Sequence, residues 1–80
     1  MDEKNDRELF ASRLKILIKE KGVTLQEVSD YTGIPKSTIW EYTAGNSVVP
    51  LSNAKKIATY FGEDLHWLAG MTDERSKKQA

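Results

Sequence analysis

Cysteine is absent from this chain of 80 residues, so neither disulfides nor thiolate metal sites hold its fold together. Long apolar runs are absent too, because no stretch approaches the roughly 20 residues that span a bilayer. The N-terminal sequence MDEKNDRE is too polar for a signal peptide. These absences favour a soluble, cytoplasmic protein with one small domain.

The formal net charge of the chain is zero, since twelve basic residues balance twelve acidic ones. Zero net charge argues against strong non-specific binding to nucleic acid. The distribution is uneven, however: acids outnumber bases four to two in residues 1–8 and four to three in residues 63–80, whereas bases outnumber acids seven to four in between. The mild positive excess of the middle segment is compatible with DNA binding without identifying it.

Catalytic and metal-binding groups are sparse. His66 is the only histidine, and no second ligand lies near it at metal-binding spacing, which favours a surface or interface histidine. No spacing of Ser, His and Asp marks a nucleophile with its base, and so small a domain leaves little room for a cleft. We therefore predict that the protein is not an enzyme and holds no metal or cofactor.

The first predicted helix is amphipathic and ends at Gly22, a residue suited to a left-handed C-terminus. Its charged face includes Arg13, Lys15 and Lys19, and its apolar face recurs at helical spacing through Phe10, Leu14, Leu17 and Ile18.

A capping box predicts where the second helix begins. In TLQE, the side chain of Thr24 can accept from the amide of Glu27 while the Glu27 carboxylate reaches back to the amide of Thr24, so the helix starts at Leu25. Gly33 ends it, and Pro35 suits the first turn of a third helix that runs to about Tyr42.

Two more helices complete an all-α pattern without strand-like alternation. Asp64 is the predicted N-cap of the fifth, and the fourth has an apolar face of Leu51, Ala54, Ile57, Ala58 and Phe61. Five short helices with tight connections predict a compact globule. We divide the chain into a polar arm (residues 1–8), a helical domain (9–70) and a charged, frayed tail (71–80).

The second and third helices have the residues that a helix-turn-helix requires. Ser29 is small where the helices cross, Gly33 tolerates positive φ in the turn, and Ile39 is an aliphatic plug six residues later. Val28, Ile34 and Tyr42 occupy the remaining inward positions. Several matched positions at fixed spacing form a fairly specific signal.

The segments GVTLQEVSDYTGIPKSTIWEYTAGN, KKIATYFG and DLHWLAG resemble the second to fifth helices of the lambda-repressor-like, or Cro-type, helix-turn-helix regulators. The resemblance runs from about Leu9 to Gly70. It implies a compact five-helix DNA-binding domain in a bacterial, phage or plasmid transcriptional regulator, which binds operator DNA as a homodimer.

The resemblance also implies roles for individual residues. The base-facing positions of the third helix are Lys36, Ser37, Thr38, Trp40 and Glu41. The phosphate-facing positions are Thr24 and Gln26 at the start of the second helix, with Asn46 and Ser47 in the loop after the third. Candidates for a dimer contact are His66, Trp67 and Leu68. These side chains suit such use, since lysine donates to guanine and glutamate accepts from cytosine.

The sequence departs from the family pattern at three positions. Leu25 stands where the family commonly has a phosphate-binding glutamine. Ile18 and Thr43 replace an arginine and a glutamate that commonly pair, and the loss of both partners together leaves no buried charge alone. Contact with phosphate at Leu25 is therefore the family property most in doubt.

Several roles stay open at this point. Trp40 either contacts DNA or packs on the loop after its helix, and Glu41 either reads cytosine, stays solvated or pairs with Lys36. Lys55 and Lys56 are expected on a solvent face. Trp67 and Leu68 either finish the core or form a dimer patch.

The leading hypothesis is a sequence-specific repressor on a palindromic operator. The alternative is a helix-turn-helix module that binds another regulator through an apolar surface of Leu25, Trp40 and Tyr42.

Overall fold

The structure is a computed structural model that describes the backbone of residues 3–75 and the side chains of residues 7–75. Within that range the regular secondary structure is entirely helical, and turns and loops connect the helices. The helices are α1 (Glu3–Lys21), α2 (Leu25–Thr32), α3 (Lys36–Ala44), α4 (Leu51–Phe61) and α5 (Leu65–Leu68). The predicted all-α, five-helix fold is confirmed. Because α1 begins at Glu3, residues 3–8 of the predicted arm form its first turns.

Helix boundaries follow the predicted capping chemistry. The Thr24 hydroxyl accepts from the amide of Glu27 at 3.1 Å, and the Glu27 carboxylate accepts from the amide of Thr24 at 2.8 Å. This confirms the capping box and satisfies two amides that the first turn of α2 would otherwise leave without partners. Asp64 caps α5 in a similar way by accepting from the amide of His66 at 2.9 Å.

One apolar core joins all five helices. Helix α3 packs mainly on α1 and α2, while α4 packs on α2 and α5. The fully buried side chains are Leu14, Leu17, Val28, Ile39, Ile57 and Leu68. Full burial of each such side chain contributes roughly 1.5–3 kcal/mol, so these six supply much of the driving force for folding.

Two side chains differ in burial from what the helical spacing predicts. Arg13, expected on the charged face of α1, is buried, and its guanidinium donates to the carbonyl oxygens of Trp67 and Thr72. Leu51, expected on the apolar face of α4, is 66% exposed because it lies at the first residue of that helix, beyond the reach of the core. Tertiary partners explain the burial of Arg13, and position at the helix start explains the exposure of Leu51.

The segment after α5 folds back onto the domain as far as it is described. Arg75 donates to Glu20 at 3.0 Å and to Glu63 at 2.6 Å, and its guanidinium lies 4.5 Å from the ring centroid of Trp67. The guanidinium of Arg13 lies 4.9 Å from the same centroid. Residues 71–75 of the predicted frayed tail are thus held in place, and residues 76–80 lie outside the described range.

These ion pairs make stability depend on pH. The hydrogen bonds from Arg75 lower the pKa of Glu20 and also that of Glu63, which is the less exposed of the two carboxylates. Since both carboxylates hold protons less tightly when folded than when unfolded, their contribution is present at neutral pH and is lost as the pH falls below about 4.

We expect Arg75→Ala to be less stable than the parent at pH 7, with a gap that narrows at pH 3, because the two carboxylates take up protons as the pH falls toward their lowered pKa values. Urea unfolding at the two pH values measures it. Lys15→Ala, which removes an exposed cation from α1, is the control and should show a small gap at either pH. A gap for Arg75→Ala that is equal at both pH values would contradict this account.

Candidate nucleic-acid interface

The turn between α2 and α3 is set by one glycine and two hydroxyl groups. Gly33 has φ +80° and ψ 4°, and its amide donates to the carbonyl of Ser29 at 2.8 Å. The Ser29 hydroxyl donates to the carbonyl of Ile34 at 2.6 Å, and the Thr32 hydroxyl accepts from the amide of Ile34 at 3.2 Å. The polar backbone of the turn is therefore satisfied locally, which fixes the crossing of the two helices.

The inward face of α3 is anchored to the core by two side chains. Ile39 is completely buried, and Tyr42 is nearly so. The Tyr42 ring meets Phe10 of α1 edge-on at 6.2 Å, and its hydroxyl accepts from Asn53 of α4 at 2.9 Å. Because α3 is fixed on this side, the opposite side is presented to solvent in one orientation.

Comparison with known proteins agrees with this geometry. A family model described as helix-turn-helix matches residues 14–68, which is more than half of the chain. The chain belongs to the lambda-repressor-like helix-turn-helix family. Members of this family are DNA-binding regulators, and so is this protein at that level of description. Neither a search of curated proteins nor a search of solved structures found a match.

The helix-turn-helix places most of the predicted base-facing residues at the surface. Lys36 and Ser37 open α3 and are exposed, and Trp40, one turn later, has 52% of its surface exposed. Thr38 and Glu41 are half-buried at the flanks. About half of the Trp40 surface is thus accessible to a partner.

Glu41 has a partner in the loop after α3. The side-chain amide of Asn46 donates to its carboxylate at 3.0 Å, and the backbone amide of Asn46 donates to the Glu41 carbonyl at 3.1 Å. The considered pair with Lys36 is not formed, and Lys36 makes no ion pair with any residue that the structure describes. The contact therefore holds an acceptor on the exposed side of α3 and leaves the lysine unneutralised.

The predicted phosphate-facing groups are largely occupied inside the protein. Thr24 belongs to the capping box, and the side-chain amide of Gln26 donates to the Asp30 carboxylate at 2.8 Å. Asn46 is bonded to Glu41, and Ser47 is half-buried. At the start of α2, the first-turn backbone amides of Leu25 and Gln26 remain available to an anion.

Positive charge is scarce around these residues. Lys36 is the one basic residue in α2 and α3, whereas these helices contain the acids Glu27, Asp30 and Glu41. The other exposed cations of the described domain lie on different helices, with Lys15, Lys19 and Lys21 on α1 and Lys55 and Lys56 on α4. The two helices of the helix-turn-helix therefore contribute one cation, Lys36, for contact with the phosphate backbone.

Two of the three dimer candidates belong to the core of the chain itself. Leu68 is completely buried, and Trp67 contacts the Arg13 and Arg75 guanidinium groups with only 5% of its surface exposed. Of the two alternatives for this pair, completion of the core is the one observed. His66 is exposed, with its Nδ1 atom 3.4 Å from a carboxylate oxygen of Asp64.

A module that binds another regulator would need an apolar surface of Leu25, Trp40 and Tyr42, and that surface does not form. Tyr42 is buried, and Leu25 is half-buried against the core, so Trp40 alone of the three is exposed. Leu25 thus acts as a packing residue at the position where a glutamine is common in the family.

The described part of the chain has neither a metal-binding cluster nor a membrane-spanning helix. Among the side chains of residues 7–75, no group of three or more His, Cys, Asp or Glu lies close enough together to bind a metal ion. None of the described helices combines the length and apolarity needed to cross a membrane.

Gly33→Ala should destabilise the fold by about 1–2 kcal/mol, because a side chain at positive φ is strained. A Cβ atom at Gly33 would meet nothing within 4 Å, so the cost comes from the backbone alone. Gly33→Asn should cost clearly less, since asparagine tolerates this conformation. Urea denaturation compares the variants, and equal losses for alanine and asparagine would show that strain at φ is not the cause.

Proposed function

We propose that the protein is a repressor that inserts α3 into the major groove of a palindromic operator and occupies the promoter as a homodimer. The observation that carries the proposal is the division of α3 into two sides. Ile39 and Tyr42 fix one side to the core, while Lys36, Ser37 and Trp40 are exposed on the other. A helix held in this way can meet base edges without reorganising.

The exposed side chains supply a specific set of donors, acceptors and apolar surface. The Lys36 ammonium can donate to N7 and O6 of guanine, and Ser37 can donate or accept. Trp40 offers its ring to a thymine methyl group or a sugar. Glu41, held by Asn46, can accept from the amino group of cytosine, so a guanine–cytosine pair near each half-site is favoured.

The charge distribution supports recognition through base contacts more than through affinity for phosphate. With one lysine and three acids on α2 and α3, few counterions are released when this face meets DNA. Non-specific binding is then weak, and a wrong base costs a large share of the total binding energy. A small repressor gains discrimination in this way, at the expense of maximal affinity.

Dimerisation is the part of the proposal that needs a surface outside the core. His66 is the accessible member of the predicted dimer candidates. A second accessible surface is an apolar groove of about 360 Å³, to which the exposed side chains of Val48 and Leu51 contribute. On a palindromic operator, the two α3 helices of a dimer would contact half-sites about one helical turn, roughly 34 Å, apart.

Lys36→Ala tests the proposal most simply. We expect a loss of about 5- to 100-fold in affinity for the preferred duplex and a weaker preference at one base pair, because one contact to a base edge is removed. Selection of duplexes from a random DNA pool identifies the preferred sequence, and fluorescence anisotropy measures the affinities.

Lys15→Ala is the matched control, since it removes an exposed lysine from α1 and should leave the preferred sequence unchanged. Selection that enriches no sequence would contradict the proposal. Equal effects of the two variants would mean that Lys36 contributes charge only and does not read a base.

A further inference from the structure

A groove between α2 and α4 is not used by the proposed recognition of DNA. It has a volume of about 420 Å³, and its walls are Tyr31, Thr32, Ser52, Lys55, Lys56 and Thr59. Its walls come from α2 and α4, and none of the exposed α3 residues Lys36, Ser37 and Trp40 lines it. It would therefore stay accessible when α3 lies in DNA.

One wall of the groove is a rigid aromatic surface. Tyr31 is 64% exposed, yet its ring packs against Tyr60 with a centroid distance of 4.9 Å. Tyr60 in turn meets Phe61 edge-on at 4.8 Å, and Phe61 belongs to the core. Since Tyr31 is supported by this series of rings, its own side chain loses little entropy when a partner binds it.

The charge of the groove is positive and unneutralised. Lys55 and Lys56 are exposed and make no ion pair with any other residue in the described range. No carboxylate lines the groove. The nearest acids in the sequence of α2, Glu27 and Asp30, are hydrogen-bonded to Thr24 and Gln26.

We propose that this groove binds an acidic peptide segment of a partner protein, with an aromatic or aliphatic side chain of the peptide inserted against Tyr31. The groove offers apolar surface for that side chain and two adjacent ammonium groups for its flanking carboxylates, so both shape and charge are complementary to this class of partner. The exposed Ser52 and Thr59 hydroxyls can bond the peptide backbone. The regulator would thereby hold a second protein while α3 holds DNA.

DNA phosphate is the competing ligand for two adjacent lysines. The observations favour a peptide because the exposed ring of Tyr31 and the apolar surface of the groove have no counterpart in a phosphate backbone. The absence of α3 residues from the walls of the groove supports the same choice. The proposal stands apart from the proposed operator recognition, since peptide binding is measured without DNA.

The test is selection of 12-residue peptides from a random displayed library on the full chain. We expect enrichment of sequences that combine several Asp or Glu with one aromatic or large aliphatic residue. A synthetic copy of the most enriched peptide should bind at least about tenfold more weakly to the double variant Lys55→Glu/Lys56→Glu and to Tyr31→Ala, as expected of central contacts. All three replaced side chains are exposed, and circular dichroism checks that the variants fold.

The matched control is Lys15→Glu/Lys19→Glu, which makes the same charge change on exposed positions of α1 and should bind the peptide like the parent. The proposal is overturned if no peptide is enriched, if the enriched peptides lack acids, or if both double variants lose affinity equally. It is also overturned if Lys55→Glu/Lys56→Glu weakens binding to the selected duplex while peptide binding is unchanged, because the lysines would then be DNA contacts.

Discussion

The fixed crossing of α2 and α3 is the constraint on which the rest of this molecule depends. It requires a left-handed backbone at Gly33, and the turn is closed by the hydrogen bond from the Ser29 hydroxyl to the carbonyl of Ile34. Ile39 then fills the angle between the helices. Because these contacts determine the orientation of α3, the exposed side chains on its other side have a defined arrangement although few of them contact anything.

A second constraint is the small number of charges available for each task. The buried Arg13 and the ion-paired Arg75 hold the segment after α5 around Trp67, so these two cations are used for the fold. Lys36 is left for the exposed side of α3, and Lys55 and Lys56 for the groove beside α4. A chain of zero net charge thus has two separate positive sites, and their different surroundings suit different ligands.

Local chemistry made much of the fold predictable from the sequence. The capping box of Thr24 and Glu27, the glycine at the turn and the inward positions Val28, Ile34 and Ile39 follow from backbone geometry and helical spacing. The burial of Arg13 was not predictable in this way, because its partners lie more than fifty residues away in the sequence. The bonds of Asn46 to Glu41 and of Gln26 to Asp30 compete with the expected phosphate contacts, and neither family pattern nor periodicity reveals which partner a side-chain amide takes.

We propose that the exposed side of α3 meets DNA while the groove between α2 and α4 stays free. Backbone amide chemical shifts of the ¹⁵N-labelled protein, recorded as a duplex selected from a random pool is added, show which residues the DNA contacts. We expect the largest changes at Lys36, Ser37 and Trp40 and at the first-turn amides of α2, with Lys55 and Lys56 nearly unchanged. Largest changes at Tyr31, Lys55 and Lys56, with α3 unaffected, would contradict it.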